Sequence, residues 1–324
     1  MSMNAAVFDQ FGSPDVLRVD TLPLPEVPPG HVRIKVLAAG LNRLDHYVRN
    51  GDVLAADAIG KPHVAGADAA GEVESFADDV TGFEVGERVF PMPGYPTDPA
   101  DADVRPLSIA PSYRILGAAS DQGTYAQYLT VPARWVLKDP TGLAAPEAAT
   151  LPLVLVTAVR SVKVVGEVKD GDTVLVHAGA SGSGSMAIQV ARALGARVLA
   201  TVRRRDKAAF VESLGAERVI VTDEEDFVAI SQEQNGGAGV DVVIDNLGGD
   251  VLARSVEAIR PGGIVVSMGF VVGATTNLDV VSLFFTNKQV RGTLMGDRED
   301  LEWGLEQVAT GKIRPLLDRA LPWL

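Results

Sequence analysis

The feature that most constrains this sequence is a turn of small residues between an apolar segment and a helix-like segment. The apolar segment at 173–177 is short enough to form a buried parallel strand. The turn that follows contains Gly179, Ser181, Gly182, Ser183 and Gly184. Glycines allow the backbone to turn tightly, and the N–H groups at the start of the next helix attract a phosphate group. This pattern predicts a dinucleotide-binding turn, in which Ser181 takes the place of the usual middle glycine.

The residues after the second strand, 197–202, indicate which dinucleotide is preferred. A chain that selects NAD usually carries Asp or Glu about 20 residues beyond the first glycine, but no acidic residue occurs between 185 and 205. Basic residues stand there instead: Arg203, Arg204, Arg205 and, close by, Lys207. Guanidinium groups suit a 2′-phosphate, so we expect NADP(H) as the cofactor. The alternative is a solvated basic turn with no ligand.

Length and charge limit the classes of protein that remain. At 324 residues the chain is long enough for two domains, each with its own core. Its net charge of −13 disfavours nucleic acid and anionic membranes as general partners. No apolar run reaches the ~18 residues needed to span a bilayer, and the N-terminus lacks a signal-peptide pattern. We therefore expect a cytoplasmic protein.

The cysteine and histidine content argues against a metal site. The sequence contains no cysteine, which excludes disulfides, thiolate catalysis and zinc bound by thiolates. His31 lies in a strand-like segment and His177 beside the glycine turn, where structural roles are expected. His46 and His63 share a region with two aspartates, but their spacing matches no compact ligand motif. We expect no bound metal.

The pattern of the chain changes near its middle. Residues 1–140 contain short strand-like segments interrupted by Pro and Gly, which predicts an irregular β-rich domain. The segment 91–122 has little periodicity and is expected to form a surface loop. A helix is expected at 147–165, with Pro146 near its start, and strand-like and helix-like segments then alternate. This alternation predicts an α/β fold with a doubly wound parallel sheet.

Six blocks of sequence carry a resemblance to a known family. They are AAVFDQFGSPDVL at 5–17, AGLNRLDHYVRNG at 39–51, VAGADAAGEV at 64–73, GFEVGERV at 82–89, GVDVVIDNLGG at 239–249 and RPGGIVVSMG at 260–269. In order and spacing they resemble the medium-chain dehydrogenase/reductase superfamily, in its zinc-free quinone oxidoreductase-like branch. The resemblance spans nearly the whole chain. It implies a GroES-like catalytic domain at 1–149 and 289–324, and a Rossmann NADP(H)-binding domain at 150–288.

The chain departs from the zinc-dependent relatives of this family at two positions. Those relatives carry a zinc-binding Cys at the position of Asn42 and a zinc-binding His at the position of Ala67. Asp68 keeps an acidic residue where they carry Glu, and we expect it to orient Asn42 or Arg49. The relatives also usually continue past 319–322 with a helix and a last strand, so the first domain is expected to be incomplete or shortened.

The resemblance also implies cofactor contacts beyond the glycine turn. They lie on the helix before the sheet and at the ends of the fourth and fifth sheet strands, which is where open parallel sheets bind ligands. The residues are Thr157, Asn246, Leu247, Met268, Gly269 and Phe270.

Three residues of one segment are candidates for catalysis. Asn42 is placed to donate a hydrogen bond to a developing oxyanion or to a ribose hydroxyl. Tyr47 aligns with a proton-relay position of the zinc relatives, and Arg49 offers positive charge. The alternatives are an architectural role for Asn42 and Arg49 and simple packing for Tyr47.

An aromatic pair near the end of the second domain has two interpretations. Phe284 and Phe285 form either the wall of a nicotinamide or substrate pocket or part of a subunit interface. The strand-like segment 289–295 follows the pair and favours edge pairing between subunits. We expect a homodimer.

These observations predict an NADPH-dependent, zinc-independent enzyme that reduces a small-molecule substrate. The substrate class is a quinone or an activated alkene: an enone, an enal or an enoyl thioester. One alternative is a zinc-free alcohol or aldehyde reductase. The loss of the zinc ligands argues against it, because no metal would then polarise the carbonyl group. The other is a nucleotide-binding protein without enzymatic activity.

Overall fold

The computed structural model describes residues 1–53, 59–118 and 123–322, which form two compact units. The first unit comprises Met1–Leu153, Asp297–Ala309 and Pro315–Leu324. The second unit comprises Val154–Gly296 and Thr310–Arg314. The first unit is therefore assembled from separate parts of the chain.

The first unit is mainly antiparallel β-structure in its described part. Its strands are β1 (Ser2–Phe8), β2 (Arg18–Pro23), β3 (His31–Gly40), β4 (His63–Val64), β5 (Asp68–Phe76), β6 (Arg88–Pro91), β7 (Gly94–Pro96), β8 (Tyr113–Ile115), β9 (Tyr128–Pro132) and β10 (Val136–Lys138). They form a three-stranded sheet in the order β2-β1-β4, a five-stranded sheet in the order β10-β6-β5-β3-β9 and the pair β7-β8. Helices α1 (Arg43–Asn50) and α2 (Ala145–Ala148) complete this part of the unit. It is the β-rich domain that the sequence predicts.

The pairing of β3 with β5 positions the residues that matter for function. Val32 and Ile34 are fully buried and alternate with more exposed residues along β3, as the two-residue period of a strand requires. A Cβ on Gly71 of β5 would lie only 2.6 Å from a backbone carbonyl oxygen of β3, so glycine permits this close pairing. The register then sets Gly40, at the end of β3, opposite Asp68, at the start of β5.

The second unit is a parallel sheet with alternating helices. In chain order its elements, with the helix that leads into it, are α3 (Pro152–Val159), β11 (Thr173–Val176), α4 (Gly182–Ala193), β12 (Arg197–Val202), α5 (Ala208–Ser213), β13 (Arg218–Val221), α6 (Phe227–Gln232), β14 (Val240–Asp245), α7 (Gly249–Ala258), β15 (Ile259–Ser267), α8 (Val280–Phe285) and β16 (Gln289–Gly292). The sheet order is β13-β12-β11-β14-β15-β16, and every pair is parallel. This confirms the predicted α/β doubly wound, Rossmann-type domain.

A last helix, α9 (Arg298–Ala309), belongs to the first unit. The carboxylate of Asp297, just before this helix, accepts a hydrogen bond of 2.7 Å from the backbone N–H of Leu107. No helix in the described ranges is long and apolar enough to cross a bilayer.

The core of the second unit follows from the apolar character of its strands. A parallel sheet covered on both faces requires strands that are apolar almost throughout. All four residues of β11 are buried, and Leu175 packs with Leu199, Val243 and Val265 from the neighbouring strands. Phe227 of α6 joins the same cluster. The sheet is therefore a rigid platform for the turns that follow its strands.

The structure corrects the predicted domain boundary. Strand β16 is the edge strand of the second unit and pairs in parallel with β15, whereas the family resemblance implies that 289–324 belongs to the first domain. The first unit resumes only at Asp297. A four-residue strand carries no sign of the sheet it joins, because the pairing partner is set by the tertiary fold.

Two other expected segments also differ in detail. The helix expected at 147–165 is divided, because Pro152 lacks an N–H group and starts the separate helix α3. Its final part, Arg160–Val165, is π-helical. The segment 91–122, expected as a loop, contains the pair β7-β8, while its last residues, 119–122, lie outside the described part of the chain.

Candidate cofactor site and catalytic residues

The turn between β11 and α4 has the geometry of an anion-binding helix start. Ser181 is the N-cap of α4, and its Oγ accepts a hydrogen bond of 3.0 Å from the backbone N–H of Gly184. A Cβ on Gly184 would overlap the carbonyl oxygen of Ala178, so the close approach of turn and helix requires glycine there. The first N–H groups of α4, from Gly182 and Ser183, have no partner within a helix and are directed out of its end.

Asn246, directly after β14, faces the same turn. Its Nδ2 lies 3.3 Å from the Oγ of Ser181 and 3.2 Å from the Oγ of Ser183. Its Oδ1 is buried and has no hydrogen-bond partner among the described residues. Buried polar atoms normally have a partner, so this acceptor fits a ligand that brings a donor, such as a ribose hydroxyl. The turn and Asn246 together fit a dinucleotide.

The basic residues after β12 are not equivalent in the structure. Arg204 is paired with Asp206 at 3.0 Å, and Arg205 is paired with Glu224. Arg203 and Lys207 are exposed and form no ion pair within the described ranges. These two cations are therefore the ones available for a phosphate group, while the other two already face carboxylates.

A second group of expected contacts surrounds the helix α3. The Oγ of Ser161 donates to the carbonyl oxygen of Thr157 at 2.6 Å and lies 3.0 Å from the sulfur of Met268. The hydroxyl of Thr157 lies 3.9 Å from the sulfur of Met295. Thr157 and Met268 are thus brought together. Ser161 and Met295 were not expected here; the spacing of Ser161, one helical turn after Thr157, is the only sequence signal for it.

The ends of β14 and β15 are packed tightly against each other. A Cβ on Gly269 would overlap the backbone carbonyl oxygen of Asn246, so glycine is required where these two segments meet. Leu247 donates its backbone N–H to Asp245 at 2.8 Å. Phe270 is exposed over 43% of its surface. The structure therefore brings the predicted positions after these two strands to one edge of the sheet.

In the first unit, Asn42 is the centre of a partly buried polar cluster at the start of α1. Its Nδ2 donates to Oδ2 of Asp68 at 2.8 Å, and its backbone N–H donates to Oδ2 of Asp45 at 2.7 Å. The hydroxyl of Tyr125 donates to the same oxygen of Asp45 at 2.7 Å, and the backbone N–H of Leu153 donates to Asp68. Asp68 was expected to orient Asn42 or Arg49, and in the structure it contacts Asn42.

Burial controls the protonation of this cluster. Desolvation raises the pKa of Asp68 to about 7, and the hydrogen bonds from Asn42 and Leu153 oppose that rise. Desolvation also raises the pKa of Asp45, against the hydrogen bond from Tyr125. The pKa of Tyr125 is itself raised, first by burial and then by the Asp45 charge. The carboxyl groups are therefore less acidic than exposed ones.

The other two candidate catalytic residues lie on α1. The hydroxyl of Tyr47 accepts a hydrogen bond of 3.0 Å from Nε of Arg43. Arg49 donates to the carbonyl oxygen of Gly12 at 3.1 Å and to Oδ1 of Asn50 at 3.1 Å. These contacts tie Arg49 to the preceding loop and to its own helix, which favours its architectural interpretation.

The residues at the zinc positions do not fit a zinc ion. The sequence has no cysteine, Ala67 has no donor atom, and the amide nitrogen of Asn42 is engaged as a donor. Among the residues described, no group of three His, Cys, Asp or Glu side chains is arranged to hold a metal. His63 is buried, and its Nε2 lies 2.9 Å from the carbonyl oxygen of Gly117, in keeping with a structural role.

Comparison with known proteins supplies the family. Residues 28–141 match the alcohol dehydrogenase GroES-like domain, and residues 182–310 match the family described as zinc-binding dehydrogenase. A 2-haloacrylate reductase of Burkholderia sp is 33% identical over 300 residues, which cover 92% of this chain and 81% of that protein. A quinone oxidoreductase of Pseudomonas aeruginosa is 32% identical over 277 residues, covering 85% and 76%.

Solved structures agree with the sequence comparison. The crystal structure of an NAD-dependent alcohol dehydrogenase superposes with a TM-score of 0.88 at 33% identity, covering 97% of this chain and 91% of that chain. A GroES-like unit together with a dinucleotide-binding Rossmann unit defines the class as an oxidoreductase with a nicotinamide cofactor. The chain belongs to the medium-chain dehydrogenase/reductase superfamily, in its quinone oxidoreductase-like branch.

Proposed function

We propose that the chain is an NADPH-dependent reductase that transfers hydride to a quinone or an activated alkene without zinc. The observation that carries this proposal is the Asn42–Asp68 pair: an amide fixed by a buried carboxylate stands where zinc-dependent relatives carry a metal ligand. An amide N–H stabilises a developing oxyanion but polarises a carbonyl less strongly than a metal does. Acceptors that are already electron-poor therefore suit this site best.

The residues of the chain have separate roles in this reaction. Bound NADPH would supply hydride to the electron-poor carbon, and negative charge then develops on the conjugated oxygen of the substrate. The amide of Asn42 has one hydrogen engaged with Asp68, and we assign its second hydrogen to the stabilisation of that oxygen. Tyr47, whose phenolic oxygen accepts a hydrogen bond from Arg43, is the candidate proton donor.

Two cations support the choice of NADPH over NADH. Arg203 and Lys207 follow β12 and have no carboxylate partner in the described part of the chain. A 2′-phosphate would provide both with a charged partner, whereas the uncharged ribose 2′-hydroxyl of NADH would not. The similar alcohol dehydrogenase structure is described as NAD-dependent, and titration of the protein with both cofactors distinguishes the two.

The substrate class is supported by the names of two relatives. The 2-haloacrylate reductase reduces, by its name, an activated alkene, and the P. aeruginosa protein is named a quinone oxidoreductase. The alcohol dehydrogenase structure favours a second candidate, a zinc-free alcohol or aldehyde reductase.

The cytoplasmic location of the protein stays a prediction.

NADPH consumption against a panel of substrates tests the proposal. The panel contains quinones, enals, 2-substituted acrylates, enoyl thioesters and simple aldehydes, each with and without a strong zinc chelator. We expect turnover of a quinone or an activated alkene that the chelator does not change. Turnover of aldehydes alone would favour the second candidate, and NADPH binding without any turnover would leave only the nucleotide-binding alternative.

We also propose that the protein forms a homodimer through the second unit. Strand β16 is an open edge of the sheet, and four residues of α8 are exposed over more than half of their surface: Val280, Val281, Phe284 and Phe285. The two phenyl rings stack on each other with centroids 4.7 Å apart and are 59% and 74% exposed. An edge strand next in sequence to an exposed apolar helix is suited to pairing with a second copy.

A further inference from the structure

A buried chain of hydrogen bonds connects the two turns of the dinucleotide site. Nδ1 of His177 lies 3.1 Å from Oγ1 of Thr201, and its Nε2 lies 2.9 Å from Oγ of Ser255. The hydroxyl of Ser255 lies 2.9 Å from Oδ2 of Asp245. All four side chains are at most 2% exposed. His177 directly follows β11, and the other three lie in β12, β14 and α7, so tertiary packing brings them together.

The direction of each hydrogen bond follows from the atoms involved. Ser255 has one hydroxyl hydrogen, and its other neighbours, Oδ2 of Asp245 and the carbonyl oxygen of Val251, are both acceptors. The hydroxyl hydrogen is therefore donated to one of these two acceptors, and the oxygen of Ser255 accepts the hydrogen bond from His177. Nε2 of His177 must carry the hydrogen, and in the neutral ring Nδ1 then accepts from the hydroxyl of Thr201.

Both ends of this chain terminate on backbone groups of the cofactor turns. Oγ1 of Thr201 accepts from the backbone N–H of Ala178 at 3.1 Å, and Ala178 has a φ of 48°, which is uncommon for a residue other than glycine. At the other end, Oδ1 of Asp245 accepts from the backbone N–H groups of Leu247 and Gly248, each at 2.8 Å. Every bond runs in one direction, from Ala178 to the carboxylate.

The surroundings keep the ring neutral. Burial lowers the pKa of His177; the carboxylate of Asp245 opposes this effect and the Arg254 guanidinium adds to it. Arg254 is paired with Asp226 at 2.6 Å and lies over the ring of Phe227, which in turn packs edge-on against the imidazole at 4.8 Å. A neutral ring is what the one-directional chain requires.

We propose that His177 is a positioning residue that couples the phosphate turn to the Asn246 turn through its neutral Nε2–H tautomer. This inference rests on the proposed nucleotide binding, since the two turns matter together only if a dinucleotide contacts both. Loss of one hydrogen bond in this series releases the Ala178 turn on one side and the Asp245 carboxylate on the other. Nucleotide affinity then falls although no group that contacts the nucleotide is removed.

Two measurements test the proposal. Nitrogen NMR of ring-labelled histidine, with His177→Gln used to assign the signal, should show a neutral Nε2–H imidazole near neutral pH that resists protonation at mildly acidic pH. NADPH affinity, measured by fluorescence titration, should fall about tenfold in Ser255→Ala, which corresponds to roughly 1.4 kcal/mol. Ser255→Thr keeps the hydroxyl and should restore affinity.

Ser231→Ala is the matched control. Ser231 is a fully buried serine of the same unit whose Oγ has no hydrogen-bond partner in the described residues, so its loss should leave affinity unchanged. A charged ring or an Nδ1–H tautomer in the wild-type protein would overturn the proposal, as would wild-type affinity in Ser255→Ala. If wild-type protein binds neither NADPH nor NADH, the proposed function fails, while the NMR result still judges the tautomer separately.

Discussion

Nδ2 of Asn42 donates a hydrogen bond of 2.8 Å to Oδ2 of Asp68, a carboxyl group with only 2% of the residue's surface exposed. The bond fixes which way the amide faces, and it places a titratable group directly behind the candidate catalytic residue. The register of β3 and β5 sets Gly40 opposite Asp68, and Asn42 follows two residues later as the N-cap of α1. Two of the predictions below follow from it.

Asp68 should make the stability of the protein depend on pH. Its pKa is raised from 3.8 to about 7, so between these values the folded protein holds a proton that the unfolded chain releases. This contribution to stability is fully present below pH 3.8 and is lost as the pH rises through about 7. It amounts to roughly 4 kcal/mol at most. Denaturant unfolding at several pH values should show a flatter profile in Asp68→Asn.

Asp318→Asn provides the comparison for the Asp68 experiment, because that side chain is 97% exposed and its ion pair with Arg319, at 3.7 Å, lies at the surface. Equal pH profiles in wild type and Asp68→Asn would contradict the assignment.

Replacement of Asn42 should reduce turnover more than substrate affinity. An oxyanion donor acts mainly in the transition state, so Asn42→Ala should lower kcat by about 100-fold with a smaller change in KM. Steady-state kinetics with NADPH and the best acceptor of the panel measures both. Gln10→Ala removes an exposed amide from the same unit and should be neutral. A pure KM effect in Asn42→Ala would assign Asn42 to binding alone.

The cations after β12 should differ in their effect on cofactor choice. Arg203→Glu should raise the Kd for NADPH at least tenfold and leave that for NADH nearly unchanged, because a 2′-phosphate would lose a charged partner. Arg204→Glu should have a smaller effect, since Arg204 already faces Asp206. Fluorescence titration of both cofactors measures the ratio. Tighter binding of NADH than NADPH by the wild type would refute the choice of NADP(H).

The two glycines at the start of α4 should tolerate alanine unequally. At Gly184 an added Cβ overlaps the carbonyl oxygen of Ala178, so Gly184→Ala should cost roughly 1–3 kcal/mol and abolish tight nucleotide binding. At Gly182 the nearest atom, Cγ1 of Val154, would be 3.3 Å away, and Gly182→Ala should be much milder. Thermal denaturation with and without NADPH compares them; similar losses would contradict the described turn.

The dimer should depend on the exposed aromatic residues of α8. Phe285→Glu should convert a dimer to a monomer in light scattering after size exclusion, because a charge cannot be buried unpaired in an apolar interface. Phe210→Glu changes a phenylalanine that is 40% exposed on α5 and should leave the dimer intact. If the wild-type protein is monomeric at micromolar concentration, the proposed homodimer is wrong.

The sequence predicts local features of this fold well and long-range ones less well. The glycine turn at 179–184 and the alternating strands after it depend on neighbours in sequence, and the structure matches them closely. The sheet membership of β16 depends on a pairing that no local pattern encodes, and the sequence prediction placed it in the wrong domain. The series of hydrogen bonds from Thr201 through His177 and Ser255 to Asp245 was not predicted, because these residues become neighbours only after the sheet has formed.

The interrupted path of the first unit determines the order in which the protein can be completed during synthesis. The polypeptide leaves this unit at Leu153 and returns at Asp297, so helix α9 is made only after almost the whole second unit. The parallel sheet can thus be finished while the first unit still lacks its last helix and the carboxylate that Leu107 requires. On a ribosome, the unit proposed to bind the nucleotide would mature before the unit that carries Asn42.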